Sequence, residues 1–225
     1  MIFRTLVMLA IAAIAVVPET SSRTGKIGVQ RLSVPAEVRP VFLTAATAAF
    51  AGFAVMGLFS AVAPSFMSNV IGIPNHAVAG AMASSIFVAS AAAQLAGRRI
   101  NPRKAVAAGC AILAASMVIL AVALQYSSLA GLIVAAVVAG AGQGISFSRG
   151  LAAVVEGTPT ERRAEVSSTY FVVAYIAISL PVIGEGLAAQ HWGLQTSGIT
   201  FAIIVAVLAA LCFVAVLFEE RRAAR

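Results

Sequence analysis

The sequence predicts an all-α integral membrane protein with six full transmembrane helices and a short apolar helix at its N-terminus. Composition supports this fold class. Of the 225 residues, 61% are hydrophobic and 10% are charged. In soluble domains, about 45–50% of the residues are apolar and about 25% are charged. The apolar residues also form six runs of the roughly 20 residues that a helix needs to cross a bilayer. These observations exclude a soluble enzyme, a disordered chain and a small disulfide-linked domain.

The first apolar stretch, residues 5–17, is too short for a full span, because a helix of this length reaches only about 20 Å. Arg4 and the small residues after it would also suit a signal peptide, but Pro18-Glu19-Thr20 does not resemble a cleavage site. We therefore expect residues 1–18 to form a truncated transmembrane helix. Residues 19–40 follow as a basic cytoplasmic linker.

The six-helix transmembrane bundle is expected over residues 41–218, with spans at 41–63, 77–97, 105–124, 129–148, 166–189 and 198–218. Helices fit these runs because each segment must satisfy its own backbone hydrogen bonds in lipid. Strands of a β-barrel would be shorter and would alternate apolar with polar residues. Helix-start signals precede three of the runs: Pro74-Asn75, Asn101-Pro102, and a capping box from Thr158 to Glu161.

The distribution of basic residues predicts the orientation in the membrane. Every Lys and Arg except Arg4 lies in 19–40 or in the alternate segments 98–104, 149–165 and 219–225. The intervening loops carry none. Basic loops favour the cytoplasmic side, so we expect the C-terminal tail, residues 219–225, to be cytoplasmic and the protein to lie in the inner membrane. The basic residues that give the net charge of +7 therefore determine the orientation in the membrane, and this charge does not predict nucleic-acid binding.

One acidic residue, Glu185, lies within a predicted span. An ionisable group inside a membrane indicates a functional site by default, and Glu185 is therefore a candidate for proton coupling. A structural or substrate-facing polar role is the alternative, because Glu185 is only four residues from the outer end of its run.

Five further residues in the spans are candidates for a substrate cavity. Gln143 either makes an interhelical hydrogen bond or lines a cavity. Aromatic residues in the first full span either pack against lipid and neighbouring helices or contact a substrate. The five candidates are Phe50, Phe53, Gln143, Tyr175 and Ser179.

No motif indicates catalysis. The glycines of 140–144 form a GxGxG pattern, but the strand and the soluble βαβ unit that nucleotide binding requires are missing from the pattern around them. His76 and His191 have no partner at metal-ligand spacing, and we interpret Cys110 and Cys212 as lipid-facing or helix-facing residues. We therefore expect no enzymatic activity, no metal and no cofactor.

Three stretches resemble a known family. Residues 59–67 are similar to the outer end of the seventh helix of major facilitator superfamily transporters, and residues 94–104 resemble their basic loop between helices eight and nine. Residues 158–168, followed by 179–186, resemble the segment that leads into and forms helix eleven. The chain as a whole resembles the C-terminal half of a bacterial efflux-type member, with residues 1–18 like the end of helix six.

The resemblance implies alternating access between two halves that surround a site near the membrane midplane. It further implies proton-coupled efflux of a small organic solute, with Arg98, Arg99 and Arg162 as candidate charges of a cytoplasmic gate. In the family's signature loop, Gly97 replaces the acidic residue and Pro102 replaces the glycine, so the usual contact of Arg98 does not follow.

The expected partners are the lipid bilayer, the solute, protons, and either a missing N-terminal six-helix half or a second copy. The alternative function is that of a non-transporting membrane protein, which would be a scaffold, a partner subunit or an inactive remnant. The small residues that fill the spans would allow close helix packing under either hypothesis.

Overall fold

The computed structural model describes Thr5, Val7, Met8, Ala12, Ala13 and residues 32–223, with side chains as far as Glu219. The five residues before 32 are helical. Most of the predicted N-terminal helix and of the basic linker lies outside the described residues. All that follows concerns the unit that begins at Leu32.

Six long helices are present in the described part of the chain. They are α1 (Arg39–Ala61), α2 (His76–Ala96), α3 (Pro102–Gln125), α4 (Leu129–Glu156), α5 (Arg163–Trp192) and α6 (Leu194–Ala223). With their flanking turns, all six are long and apolar enough to cross a membrane, which confirms the predicted all-α fold with six spans. Short 3-10 turns lead into α1 at Ala36–Val38, follow α2 at Gly97–Arg99 and lead into α5 at Thr160–Arg162.

The connections place the basic residues at one end of the bundle. Short connections separate α2 from α3, α3 from α4, α4 from α5 and α5 from α6, so consecutive helices run in opposite directions. The connection between α1 and α2 is longer and contains a helical turn, Ala63–Phe66, and a π-helical turn, Met67–Ile71. We call the end that carries 97–104 and 157–163 the basic end.

Side-chain caps start three helices. Asn75 accepts hydrogen bonds from the backbone N–H of Ala77 at 2.9 Å and of Val78 at 3.3 Å. Asn101 accepts one from Arg103 at 3.1 Å, and Pro102 occupies the first turn, so both predicted starts are confirmed. Ser128 caps α4 through the N–H of Gly131.

The predicted capping box at Thr158 is wrong. The Thr158 hydroxyl donates instead to the carbonyl of Val154 at 2.6 Å. The reason is that α4 continues to Glu156, eight residues beyond the predicted end of its span, which leaves Thr158 beside the last turn of that helix. No side chain caps the Thr160–Arg162 turn or the start of α5.

The glycines of α4 bring three helices close together. Gly140 and Gly144 lie against the backbone carbonyls of Ile86 and Ser90 in α2, where a Cβ atom would collide. Gly142 faces α3, and a Cβ there would stand 2.8 Å from the carbonyl oxygen of Gly109. The GxGxG pattern therefore serves close packing on two sides of α4.

Helix α1 occupies the most buried position of the bundle and contacts α4, α5 and α6. Helices α3 and α4 form the most extensive helix pair, and α3 also packs along α6. Helix α5 packs mainly on α1 and has a smaller contact with α6. This arrangement leaves a cleft between α5 and α6 that α1 closes on one side.

Candidate functional site

The cleft between α5 and α6 has a volume of about 260 Å³ and lies toward the end of the bundle opposite the basic end. Its wall is almost entirely apolar, with three aromatic side chains and one ionisable group among the lining residues. The residues that matter for its chemistry are Phe50, Glu185, Trp192, Ser197, Thr200 and Phe201.

Glu185 is the ionisable group of the cleft. Its side chain belongs to α5, about 10 Å along the helix from Trp192, and the residue is only 5% exposed. Within the described residues, its Oε1 atom has no hydrogen-bond partner. A buried polar atom without a partner costs free energy, which makes Glu185 a candidate functional residue.

Hydroxyl groups near Glu185 are engaged elsewhere. The Ser197 side chain lies within hydrogen-bonding reach of the carboxyl group, but its hydroxyl donates to the Gly193 carbonyl at 2.9 Å. The Thr200 hydroxyl donates to the Thr196 carbonyl, also at 2.9 Å. Both therefore satisfy their own helix, and the carboxyl group is the polar group of the cleft that stays available.

The local sequence explains how Glu185 comes to be buried beside open space. Gly184 and Gly186 flank it, and a Cβ atom at either position would meet nothing within 4 Å. On α6, Gly198 lies near the carboxyl group, and a Cβ there would stand 3.9 Å from Glu185 Oε1 but only 2.9 Å from Leu124 Cδ1 of α3. Pro181, one turn earlier in α5, lacks the N–H that would bond to the Ala177 carbonyl.

The predicted cavity residues do not form one group. Phe50 lines the cleft together with Glu185. Phe53 packs edge to face on Phe147, with ring centroids 4.9 Å apart. Tyr175 and Ser179 lie on an exposed face of α5, and 69% of Tyr175 is accessible.

Gln143 lies outside the cleft, at the interface of α2 and α4. It is 1% exposed, and its Oε1 accepts a hydrogen bond of 2.6 Å from the Ser90 hydroxyl. Gln94 Nε2 donates in turn to Ser90 at 3.2 Å. Of the two roles that the sequence leaves open, the interhelical hydrogen bond is the one that the structure contains.

The three candidate gate arginines lie at the basic end in two different settings. Arg98 and Arg99 are exposed in the turn after α2. Arg162 bonds to the Ser33 hydroxyl at 2.6 Å and forms an ion pair of 3.1 Å with Glu165. Arg162 thus ties the start of α5 to the segment before α1, while a gating role for all three stays a prediction.

Two features could not be found from the sequence. The side chains of Cys110 in α3 and Cys212 in α6 lie in one buried cluster, although they are about a hundred residues apart. A second cluster joins the rings of Phe42, Phe147 and Tyr170, and the Tyr170 hydroxyl donates to the Ala45 carbonyl at 3.2 Å. Neither sequence spacing nor residue type marks such contacts between distant helices.

Two comparisons with known proteins bear on the chain. A family model described as Major Facilitator Superfamily matches residues 2–180. No curated protein matches the chain. Because the family match covers well over half of the sequence, the chain belongs to the major facilitator superfamily, which confirms the resemblance seen in its loops. It is therefore an integral membrane protein of a transporter family whose members are generally not enzymes.

Proposed function

We propose that the chain takes part in proton-coupled export of a small organic solute by alternating access. The observation that supports this function best is the buried Glu185 carboxyl group, whose Oε1 has no hydrogen-bond partner among the described residues. Such a group can hold a proton in one conformation and release it in another. Glu185 and the cleft wall of α6 lie beyond the residues that the family match covers, so this role is argued from the geometry.

The cycle requires a second half that faces this one. In transporters of this architecture, two bundles rock about a site between them, and the chain supplies one bundle of six spans. The second is either an N-terminal six-helix half or a second copy of the chain. Tyr175 and Ser179 stand one helical turn apart on the exposed face of α5, where they are available to a facing half and its solute.

The basic end is proposed to face the cytoplasm of a cell whose inner membrane holds the protein. Arg98 and Arg99 are free to meet acidic groups of the facing half as a cytoplasmic gate closes. Arg162 is proposed to couple the closing of the gate to movement of α5, because it forms an ion pair with Glu165 and a hydrogen bond to Ser33.

The test is solute movement driven by a pH gradient in proteoliposomes that contain the purified chain. A panel of organic cations, sugars and neutral compounds is supplied, and Glu185→Gln is compared with Glu156→Gln. Glu156 is exposed at the end of α4, so its variant makes the same chemical change away from the cleft. We expect gradient-driven movement in the parent and in Glu156→Gln, and its loss in Glu185→Gln.

Two results would contradict the proposal. Equal gradient-driven movement in both variants would remove Glu185 from coupling. Correct insertion without movement of any solute would contradict transport by paired copies of this chain. The chain would then act either with a separate facing half or as a scaffold.

A further inference from the structure

We propose that the cleft between α5 and α6 binds a small organic cation that carries an aromatic or aliphatic group. This inference deepens the proposed function, because it assigns a solute class to the cleft that contains Glu185. It rests on the charge, the lining and the size of the cleft.

The only charge that the wall of the cleft can carry, among the described residues, is negative. Glu185 is the ionisable member of the set of residues that line it, and that set, all of it in the described part of the chain, contains no basic side chain. A carboxylate in apolar surroundings strongly favours a positive partner, because its charge is weakly screened there. Glu185 belongs to the wall of the cleft, so its carboxylate is the charged group nearest to a ligand there.

The lining suits an organic cation better than a hydrated metal ion. Apart from Glu185, the wall offers mainly hydrocarbon, and the Ser197 and Thr200 hydroxyls already donate to backbone carbonyls. A hard cation such as Na⁺ or Ca²⁺ needs several oxygen ligands, which this wall does not supply. The rings of Phe50, Trp192 and Phe201 line the same space, and aromatic faces attract ammonium groups.

The volume limits the size of the ligand. At about 260 Å³, the cleft is slightly smaller than the roughly 300–1,000 Å³ of typical ligand pockets. A compact ion of about ten heavy atoms is therefore the right scale. Benzyltrimethylammonium meets these conditions, since it has one aromatic ring and one quaternary ammonium group, and neopentylbenzene is its uncharged isostere.

The experiment is equilibrium dialysis of the purified chain in maltoside micelles against each compound, with empty micelles as the blank. Trp192 is the only tryptophan of the sequence and lines the cleft, so its fluorescence reports independently whether bound ligand is there. Four proteins are compared: the parent, Glu185→Gln, Glu185→Asp, and Glu156→Gln as the matched control outside the cleft.

We expect saturable binding of benzyltrimethylammonium to the parent and to Glu156→Gln, with a change in Trp192 emission at the same concentrations. Glu185→Gln should weaken binding by at least about tenfold, because a buried charge loses its partner. Glu185→Asp, which keeps the charge, should recover part of the affinity. Neopentylbenzene should bind no better than it does to empty micelles.

The proposal is overturned if the neutral isostere binds as well as the cation, if Glu185→Gln binds normally, or if no saturable binding occurs. These results are separate from those of the transport test. Cation binding without transport would leave the site intact and reject transport by paired copies of this chain, whereas gradient-driven transport without cation binding would keep coupling and reject this solute class.

Discussion

Glu185 and Gln143 are two polar side chains inside the bundle that differ in their hydrogen bonding. Both are almost completely buried. Gln143 has its acceptor satisfied by Ser90 across a helix interface, whereas Glu185 Oε1 has no partner among the described residues. A hydrogen-bonded polar group stabilises a packed interface, whereas a buried polar group without a partner lowers the stability of the fold. The contrast therefore favours a structural role for Gln143 and a functional role for Glu185.

The Ser90–Gln143 hydrogen bond leads to a prediction about stability. Ser90→Ala removes the donor and leaves the buried Gln143 acceptor unpaired, which costs about 1–3 kcal/mol. We expect a lower midpoint of thermal unfolding in detergent, measured by circular dichroism.

Ser148→Ala provides the matched control. The Ser148 hydroxyl bonds only to carbonyls of its own helix, with its shorter bond to Gly144 at 2.8 Å, so this variant should change the midpoint much less. Equal midpoints for the two variants would show that the bond between α2 and α4 contributes nothing particular.

At the scale of helices, the contact between α2 and α4 depends on the absence of side chains. A Cβ atom at Gly140 would collide with the Ile86 carbonyl oxygen and stand 3.0 Å from the Ala89 Cβ. Backbone cannot move aside as a flexible side chain can, and overpacking of this kind costs about 1–3 kcal/mol. Gly140→Ala is thus expected to lower the unfolding midpoint and the yield of folded protein.

Gly80→Ala is the control for this substitution. Gly80 lies in α2, and a Cβ there would meet nothing within 4 Å. Because alanine favours a helix over glycine by up to about 1 kcal/mol, Gly80→Ala should leave the midpoint unchanged or raise it. Similar losses in both variants would mean that the helices do not approach closely at Gly140.

The packing of α3 against α6 can be tested through its two cysteines. Cys110 and Cys212 are buried in the same cluster, and Cys212 also donates to the Thr44 carbonyl at 3.3 Å. Because both thiols belong to this one cluster, a small apolar oxidant such as iodine should join them within one chain. Mass spectrometry would then find one disulfide and no alkylated cysteine, while Cys110→Ser would leave Cys212 open to alkylation. Disulfides only between chains would contradict the contact.

The helices could be predicted from the sequence far better than the contacts between them. Hydropathy placed the spans within a few residues, since lipid demands continuous apolar helices, and Asn75 and Asn101 marked two starts correctly. The end of α4 was missed because the helix extends beyond the apolar run to Glu156. The composition of a membrane bundle shows which segments lie in lipid and which lie in water. It does not specify how each helix is rotated about its axis.

That limit explains the outcome for the candidate site. Phe50 and Glu185 were both selected from the sequence, and they share the cleft because α1 and α5 happen to turn these positions toward α6. Tyr175, selected on the same grounds, faces outward from α5. Phe201 was missed because nothing in its apolar run distinguishes the residues that face a cleft, and Ser197 was missed because the predicted span began only at residue 198.

At the scale of the whole molecule, the separation of charge predicts how the bundle is oriented in the membrane. The basic end carries the turns 97–101 and 157–162, whereas the loops at the other end contain no Lys or Arg. Because Lys and Arg are retained on the cytoplasmic side during insertion, we expect the basic end to face the cytoplasm. The cleft with Glu185 would then lie nearer the outer surface of the membrane.

This orientation predicts which end of the molecule each side of the membrane can reach. Green fluorescent protein fused after Arg225 should fluoresce, because it folds in the cytoplasm, and alkaline phosphatase at the same position should be inactive. Moving the fusion point to Ser127, in the tight turn between α3 and α4, should reverse both results. Phosphatase activity after Arg225 would place the basic end outside, and the cleft with Glu185 would then lie nearer the cytoplasm.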